Sequence, residues 1–152
     1  MTEDSTDSLA ARLQRLEDVD AIRRLFQDYR RSLDSKDFRA YADLFATEGE
    51  FIAGPDGSIR AKGREAIFAL VDGMRGNLVS DASGDDLHVA VNDRIDLDGD
   101  SARATSTWVY IVRDGGDIPE VSKVGRYNDL LTREDGSWKF LRREAPCDIP
   151  AV

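Results

Sequence analysis

Residues 26–45, FQDYRRSLDSKDFRAYADLF, decide the fold of this chain. They are typical of the end of one amphipathic helix, a short polar break and a second, shorter helix. Asp34 is expected to end the first helix, and Asp37 to be the N-cap of the second. Tyr29 lies five residues before Asp34, about 140° away around an ideal helix. The two side chains therefore share a pocket only if the helix ends near Asp34 or the pocket wraps around its end.

The first helix is predicted to begin at Ser8 and to bury one apolar stripe. Its apolar residues recur at steps of three and four, which is the helical spacing. They are Leu9, Leu13, Leu16, Val19 or Ile22, Leu25 or Phe26, Tyr29 and Leu33. Asp18 or Asp20 would cap a fresh start, so one helix and two helices with a bend near residue 18 both remain open.

Downstream of the second helix, the pattern predicts a short strand, a third helix and then a strand meander. The strand is expected at 50–53, followed by a turn at 54–57, a helix at 64–74 and a polar loop at 76–85. The meander is expected at 87–97, 102–113, 121–133 and 137–145, with a tail after it. No linker is long enough to separate domains, so the organisation is a tail at 1–7, a single domain at 8–148 and a tail at 149–152.

Helices followed by a meander predict an α+β fold, with the helices on the concave side of a curved antiparallel sheet. Strand alternation places His88 and Asn92 on one face. On the last strand it places Phe140 on one face and Arg143 on the other. Both faces carry apolar residues, so we expect one face to cover the helices and a pocket. The other face is expected to pack on a second subunit, which makes a homo-oligomer, a dimer or a trimer, the expected state.

The composition excludes several classes of partner. The 152 residues carry a net charge of -9, so phosphate repels the chain, and neither nucleic acid nor an anionic membrane is expected to bind. One cysteine, Cys147, and one histidine, His88, make neither an internal disulfide nor an ordinary Cys/His zinc site, and no metal is expected. The acidic start of the chain is unlike a signal peptide, so the cytoplasm is the expected location.

Six short motifs follow one another along the chain. They are YxxxLDxxD from Tyr29, the LF end of the second helix, HxxxN from His88, GDxA from Gly99, GRYxD from Gly125 and DGxWKF from Asp135. In this order and spacing they resemble the SnoaL-like branch of the nuclear transport factor 2-like superfamily, over residues 9–148. The resemblance implies a cone-shaped, cystatin-like α+β barrel, in which a curved, mainly antiparallel sheet and the N-terminal helices enclose a pocket.

The resemblance also implies roles for particular residues. Dehydratases and a dehydrochlorinase of this superfamily have Asp and His at the positions of Asp34 and His88. The bile-acid dehydratase type adds a Tyr at the position of Tyr29, and some members have an Arg at the position of Arg143.

Two other types fit less well. Ketosteroid isomerases resemble the chain at Tyr29, but their carboxylate base falls near Ala53 or Gly54, where this chain has no acid. The fungal scytalone dehydratase type uses a second histidine, which falls near Val112 and is absent.

The chemistry that these residues favour is proton abstraction. Elimination of water or HX beside a carbonyl needs a base for a carbon-bound proton, and imidazole is a competent base near neutral pH. We therefore predict that His88 is the base and Asp34 its orienting partner. Tyr29 would polarise a carbonyl or a leaving oxygen, and Arg143 would hold an anionic group. This chemistry calls for no cofactor.

Each of these residues also has a structural alternative. His88 could be a hydrogen-bonded residue of the core or of a surface strand, and Asp34 could pair with Arg30 or Arg31. Tyr29 could be an ordinary member of the apolar stripe of the helix. Arg143 could be a solvated residue of its strand. Six residues are expected to line an apolar pocket for a cyclic substrate. The alternative for the aromatic ones is that they are ordinary core residues, and for Asn92 that it opens a turn. They are Phe51, Phe68, Asn92, Trp108, Tyr110 and Tyr127.

Three functions remain open on these grounds. The first is a lyase of the dehydratase type that acts on a small, cyclic, hydrophobic molecule. The second is an isomerase or polyketide cyclase that uses the same dyad, because those reactions also begin with removal of a C–H proton. The third is a non-catalytic ligand-binding or assembly module, like the small subunit of ring-hydroxylating dioxygenases.

Overall fold

The computed structural model describes residues 8–54, 56–74, 86–113 and 118–150. Three helices and seven strands are found in these ranges. The helices are α1 (Leu9–Asp34), α2 (Phe38–Asp43) and α3 (Arg64–Gly73), and the strands are β1 (Phe45–Ala53), β2 (Ile59–Lys62), β3 (Asp86–Asp98), β4 (Ser101–Arg113), β5 (Pro119–Glu134), β6 (Ser137–Ala145) and β7 (Cys147–Ile149). The tail predicted at 1–7 and the loop predicted at 76–85 lie outside the described residues.

The strands form one curved, mixed sheet against which the N-terminal helices pack, as predicted. Its order is β2-β1-β6-β5-β4-β3, and β7 pairs with β5. Neighbours run antiparallel except β1 and β6, which are parallel. The sheet is not closed into a barrel, because β2 and β3 remain at its two ends. The edge at β3 is consequently available for contacts with α1.

The polar break between α1 and α2 forms as the sequence predicts. α1 ends at Asp34, and the Asp37 side chain accepts a hydrogen bond from the backbone N–H of Ala40, which caps α2. Lys36 between them has a positive φ of 62°, a conformation that reverses the chain sharply. The break therefore fixes where α1 stops relative to the sheet.

The first turns of α1 differ from the prediction. α1 is a single continuous helix from Leu9, capped by Ser8, and it does not begin afresh near residue 18. Leu9, Leu13 and Leu16 do not belong to the buried stripe, since they are 79%, 54% and 68% exposed. Helical periodicity identifies residues that share a face, but the sheet covers that face only from about Asp18 onward.

Two strands were absent from the prediction and one began too late. β1 begins at Phe45, five residues earlier than expected, because a bulge with respect to β6 interrupts the alternation between Phe45 and Glu50. β2 was missed, and part of the predicted C-terminal tail forms β7, which pairs with β5. Both missed strands are only three or four residues long, too short for a clear period.

A second bulge changes which face Arg143 occupies. Between β5 and β6 the register shifts, so that Leu130 faces Arg142 while Leu131 faces Phe140. Arg143 therefore points to the same side as Phe140, and both are buried. The predicted placement on opposite faces is wrong, because strict alternation fails at a bulge. Arg143 is also not the solvated strand residue of the structural alternative.

The core lies between α1, α2 and the concave face of the sheet. Its most buried side chains include Ile22, Tyr41, Phe45, Ile67 and Phe140. Aromatic rings dominate it: Phe140 contacts Phe45 at a centroid distance of 5.3 Å. None of the helices in the described ranges has the length and apolar character that a membrane crossing requires.

Candidate functional site

A cavity of about 260 Å³ opens between α1, α2 and the sheet. Its wall is mainly apolar and aromatic, with His88 and Lys123 as its only basic side chains. The lining residues are Tyr29, Leu33, Tyr41, Phe51, Ala53, Gly54, Ile59, His88, Trp108, Tyr110, Lys123, Tyr127, Ala145 and Cys147. An apolar cavity with a few converging polar groups is the usual form of a small-molecule site.

The structure brings His88 and Asp34 together. His88 Nδ1 lies 2.7 Å from Asp34 Oδ1, across 54 residues of sequence. The two side chains are only 11% and 19% exposed. His88 lines the cavity, whereas Asp34 stands behind it, at the C-terminal end of α1. The imidazole is thus held between the carboxylate and the cavity.

The backbone of His88 is fixed by the same helix end. The Asp34 carboxylate also accepts the backbone N–H of His88, at 3.1 Å from Oδ1, and Arg30 Nη1 donates to the His88 carbonyl oxygen at 3.2 Å. β3 is an edge strand, whose outward N–H and C=O groups have no neighbouring strand. Arg30 and Asp34 lie one helical turn apart, so together they satisfy both groups and set the position of His88 relative to α1.

The contact with Asp34 determines the tautomer of the imidazole. A carboxylate that already accepts a backbone N–H acts as an acceptor, so His88 Nδ1 must carry the proton that it donates. The neutral ring then has its lone pair on Nε2, the nitrogen that does not face Asp34. Nε2 is therefore the nitrogen available to accept a proton from a molecule in the cavity.

Tyr110 fixes the plane of the imidazole from the neighbouring strand. Its ring lies against that of His88, with a centroid distance of 4.6 Å and an interplanar angle of 33°. The two residues are direct partners between β3 and β4. The Tyr110 hydroxyl donates to Asp86 Oδ2 at 3.0 Å, which holds the tyrosine ring in place. His88 thus has one partner along its edge and another over its face.

Three buried tyrosines supply the polar groups deeper in the cavity. The Tyr41 hydroxyl donates to the Tyr29 oxygen at 2.9 Å, and the Tyr29 ring meets that of Tyr127 edge to face. Burial raises the pKa of Tyr29, Tyr41 and Tyr127 well above that of an exposed phenol. These hydroxyls therefore remain protonated near neutral pH. Since one hydroxyl of the Tyr29–Tyr41 pair donates to the other, one phenolic proton of the pair remains to donate elsewhere.

Arg143 lies beside the cavity but does not line it. Its guanidinium makes two hydrogen bonds of 2.8 Å with the Asp129 carboxylate, and its Cζ lies 3.8 Å from the Tyr127 ring centroid and 4.1 Å from that of Tyr29. Burial alone would lower the pKa of Arg143, but the Asp129 carboxylate raises it above its ordinary value. The guanidinium of Arg143 is thus positively charged, is balanced by the Asp129 carboxylate and packs against the two tyrosine rings.

The other predicted pocket residues divide into two groups. Phe51, Trp108, Tyr110 and Tyr127 line the cavity, as expected of them. Phe68 and Asn92 are not among the lining residues. Phe68 on α3 lies under the Arg39 guanidinium, 3.9 Å from its Cζ. Asn92 is exposed on β3, with a positive φ of 56°, at a bulge relative to β4. The bulge moves it away from the alternation that placed it beside His88.

Two polar lining residues were not anticipated from the sequence. Tyr41 belongs to the apolar stripe of α2 and gave no sign that its hydroxyl would reach Tyr29. Lys123 gave a usable sign, since it shares strand parity with Tyr127 on β5. Residues two or four positions along a strand from an aromatic pocket residue point to the same face of the sheet, so they can also line the pocket.

Comparisons with known proteins agree with this architecture. The family model described as a SnoaL-like domain matches residues 14–144. An NTF2-like protein with a cystatin-like fold from Novosphingobium aromaticivorans is 30% identical, with a TM-score of 0.82, over 96% of this chain and 92% of that one. A candidate scytalone dehydratase from the same organism is 28% identical, with a TM-score of 0.71, over 88% and 85% of the two chains.

A more distant structure, that of LinA, shares the fold. It is 21% identical, with a TM-score of 0.74, over 89% of this chain and 88% of that one. Among the curated proteins, none matches the sequence.

Proposed function

The chain belongs to the SnoaL-like domain family, and we propose that it is a lyase of the dehydratase type acting on a small, cyclic, hydrophobic molecule. The observation that carries the proposal is the contact between Asp34 and His88 at the wall of an apolar cavity. It gives the family fold a base at the wall of the cavity, with a second ring nitrogen that Asp34 does not engage. The 28% identity to a candidate scytalone dehydratase supports the same class of reaction.

In the proposed reaction, His88 Nε2 removes a proton from the carbon next to a carbonyl group. The electron pair of that C–H bond forms a C=C bond, while the bond from the adjacent carbon to the leaving oxygen breaks. The departing hydroxide takes up the proton that His88 has removed, directly or by way of Tyr29, and leaves as water. Asp34 stabilises the imidazolium through Nδ1, which is worth most in a site shielded from water.

Tyr29 is placed to stabilise the enolate-like oxygen or to protonate the leaving group. Its hydroxyl lies 2.9 Å from that of Tyr41, and one proton of this pair is not used in the bond between them. Donors aimed at developing negative charge in a dry site typically contribute more to rate than any other single term. Arg143 acts indirectly in this scheme, because Asp129 already neutralises it and it supports the Tyr29 ring from beneath.

The size of the cavity restricts the substrate. Drug-sized ligands occupy pockets of about 300–1,000 Å³, and this cavity is below that range. One or two rings fit this volume better than four fused rings. Hydroxy-ketones of one or two rings are therefore the first substrates to test, and hydroxy-steroids serve as the oversized comparison.

The proposal is tested with His88→Ala and Asp34→Asn on a panel of such hydroxy-ketones, with loss of water followed by the absorbance of the conjugated product. We expect wild type to turn over at least one compound and both variants to lose at least a hundredfold in kcat/KM, the lower end of what general-base catalysis contributes. Asp28→Asn is the matched control, because it makes the same change of side chain as Asp34→Asn at an exposed position of α1. Turnover that is unchanged in both dyad variants would refute the mechanism.

Two parts of the wider proposal concern the setting of the enzyme. We place it in the cytoplasm, in keeping with its acidic surface and single cysteine. We also propose that it forms a homo-oligomer, since Leu87, Val91 and Leu141 are apolar and exposed on the strands of the sheet. Sedimentation equilibrium would decide the second part, because a monomer at all concentrations would contradict it.

A further inference from the structure

The described lining of the cavity holds one ammonium group, that of Lys123. No carboxylate is among the described lining residues. Asp34 contacts His88 from behind and does not line the cavity. The charge of Arg143, beneath the tyrosines, is already balanced by Asp129. Among the described lining residues the formal charge is therefore positive, while the carboxylates of Asp34 and Asp86 lie behind the lining and contact His88 and Tyr110.

The sheet places Lys123 at a defined position relative to the base. His88 pairs with Tyr110 across β3 and β4, and Tyr110 pairs with Lys123 across β4 and β5. Direct partners in antiparallel strands point to the same face of the sheet, so the three side chains form one row. Two strand spacings separate the backbones of His88 and Lys123, which is about 10 Å. A bicyclic molecule spans such a distance.

Lys123 is also positioned near the rim of the cavity. Lys123 lies on the same face of β5 as Gly125 and Tyr127. Tyr127 is buried, whereas Lys123 is exposed. No ion pair of Lys123 with another described residue is present. Its ammonium group keeps contact with water, so an anion binds it without the large desolvation cost that a deeply buried charge would impose.

We propose that Lys123 selects substrates that carry an anionic group, such as a carboxylate, on an otherwise apolar ring system. The inference rests on the proposed function, because it assigns the two ends of the same ligand: the ring C–H lies at His88 and the anion at Lys123. The acidic surface repels anions at long range, but that repulsion is screened beyond about 8 Å at physiological ionic strength. Lys123 supplies the attraction at short range.

The test compares two probes that differ in charge and hardly in shape, 2-naphthoate and 2-naphthamide. Binding is measured at pH 7.5 by isothermal titration calorimetry, with no requirement for turnover. We expect wild type to bind the carboxylate about fivefold more tightly than the amide, the upper end of what solvent-accessible ion pairs contribute. Lys123→Met should bind the two probes equally, and Lys123→Glu should prefer the amide.

Lys62→Met is the matched control, because it removes the same charge from an exposed lysine that does not line the cavity. It should retain the preference for the carboxylate. The inference is overturned if wild type binds neither probe, if it binds both equally, or if Lys123→Met keeps the preference.

His88→Ala separates this inference from the proposed function. It should retain the preference for the carboxylate even where turnover is lost. Unchanged turnover in His88→Ala and Asp34→Asn would remove the proposed mechanism and leave the binding result standing.

Discussion

Asp34→Asn should move the proton of the single histidine from one ring nitrogen to the other. In wild type the Asp34 carboxylate lies 2.7 Å from His88 Nδ1 and can only accept, so Nδ1 is protonated. An asparagine amide can donate as well as accept. When its NH₂ group takes the place of Oδ1 and faces Nδ1, its oxygen takes the place of Oδ2, which lies 3.4 Å from the His88 backbone nitrogen in wild type, and the ring proton then resides on Nε2.

The magnitude follows from the strength of the contact. A hydrogen bond to a charged group contributes about 1.5–3 kcal/mol, which corresponds to a preference of roughly 10- to 150-fold for the Nδ1–H tautomer. In the variant this preference disappears or is reversed. With the lone pair of Nε2 gone, the rate of proton abstraction should fall by about 10³-fold, within the range of general-base catalysis.

The assay is ¹⁵N NMR of the imidazole, which needs no substrate. His88 is the only histidine among the 152 residues, so its two ring nitrogens are the only imidazole signals. With the ring neutral, wild type should show a protonated Nδ1 and an unprotonated Nε2. Asp28→Asn, an exposed site on the same helix with the same loss of charge, should leave the spectrum unchanged. A wild-type spectrum dominated by the Nε2–H form would refute the reasoning.

Three further predictions concern stability. Arg143→Met should lower the free energy of unfolding by about 3–5 kcal/mol in urea titrations, because it leaves the Asp129 carboxylate buried and unpaired. Gly125→Ala should cost about 1–3 kcal/mol and weaken ligand binding, since an added Cβ would clash with the Pro146 backbone oxygen and with Trp108 on the cavity wall. Burial raises the pKa of Asp18, but hydrogen bonds from Arg133 and Trp138 bring it below its ordinary value of 3.8. The stability lost in Asp18→Asn should therefore be constant above about pH 5 and should shrink as the pH falls below 3.8.

Each of these predictions has a control and a contradicting result. Arg142→Met removes an exposed arginine next to Arg143 and should change stability little, and an equal loss in both variants would argue against the buried pair. Gly73→Ala adds a Cβ that meets nothing within 4 Å, so it should be tolerated. Asp20→Asn alters an exposed pair with Arg24 on α1, and a pH dependence equal to that of Asp18→Asn would contradict the third prediction.

Much of the fold was predictable because its signals are local. The end of α1 and the cap of α2 follow from residues that lie within four positions of each other, and the turns of the meander follow from Asp-Gly pairs. Bulges were not predictable in this way. The shift between β5 and β6 depends on how two strands fit together, and it placed Arg143 beside Phe140. The bulge in β3 similarly removed Asn92 from the face of His88.

The exposed leucines of α1 show a second limit. Leu9, Leu13 and Leu16 continue the apolar stripe of the helix, but the sheet does not extend far enough to cover them. Periodicity gives the direction in which a side chain points, whereas burial depends on what lies opposite. The same limit applies to the cavity, whose lining combines residues from two helices and seven strands, and therefore to Tyr41 and Lys123.

The role of Asp34 cannot be reduced to a single interaction, because its carboxylate accepts two hydrogen bonds from the same residue. One bond, from the backbone N–H of His88, closes the edge of β3 against α1. The other, from Nδ1, orients the imidazole. Asp34→Ala removes both, so a loss of activity in that variant would not distinguish a displaced strand from a mis-set ring. Asp34→Asn replaces the acceptor of Nδ1 and keeps an oxygen at the position of Oδ2, which is 3.4 Å from the His88 backbone nitrogen in wild type. The difference between the two variants, measured as unfolding free energy and as tautomer population, separates the structural contribution of this helix end from its chemical one.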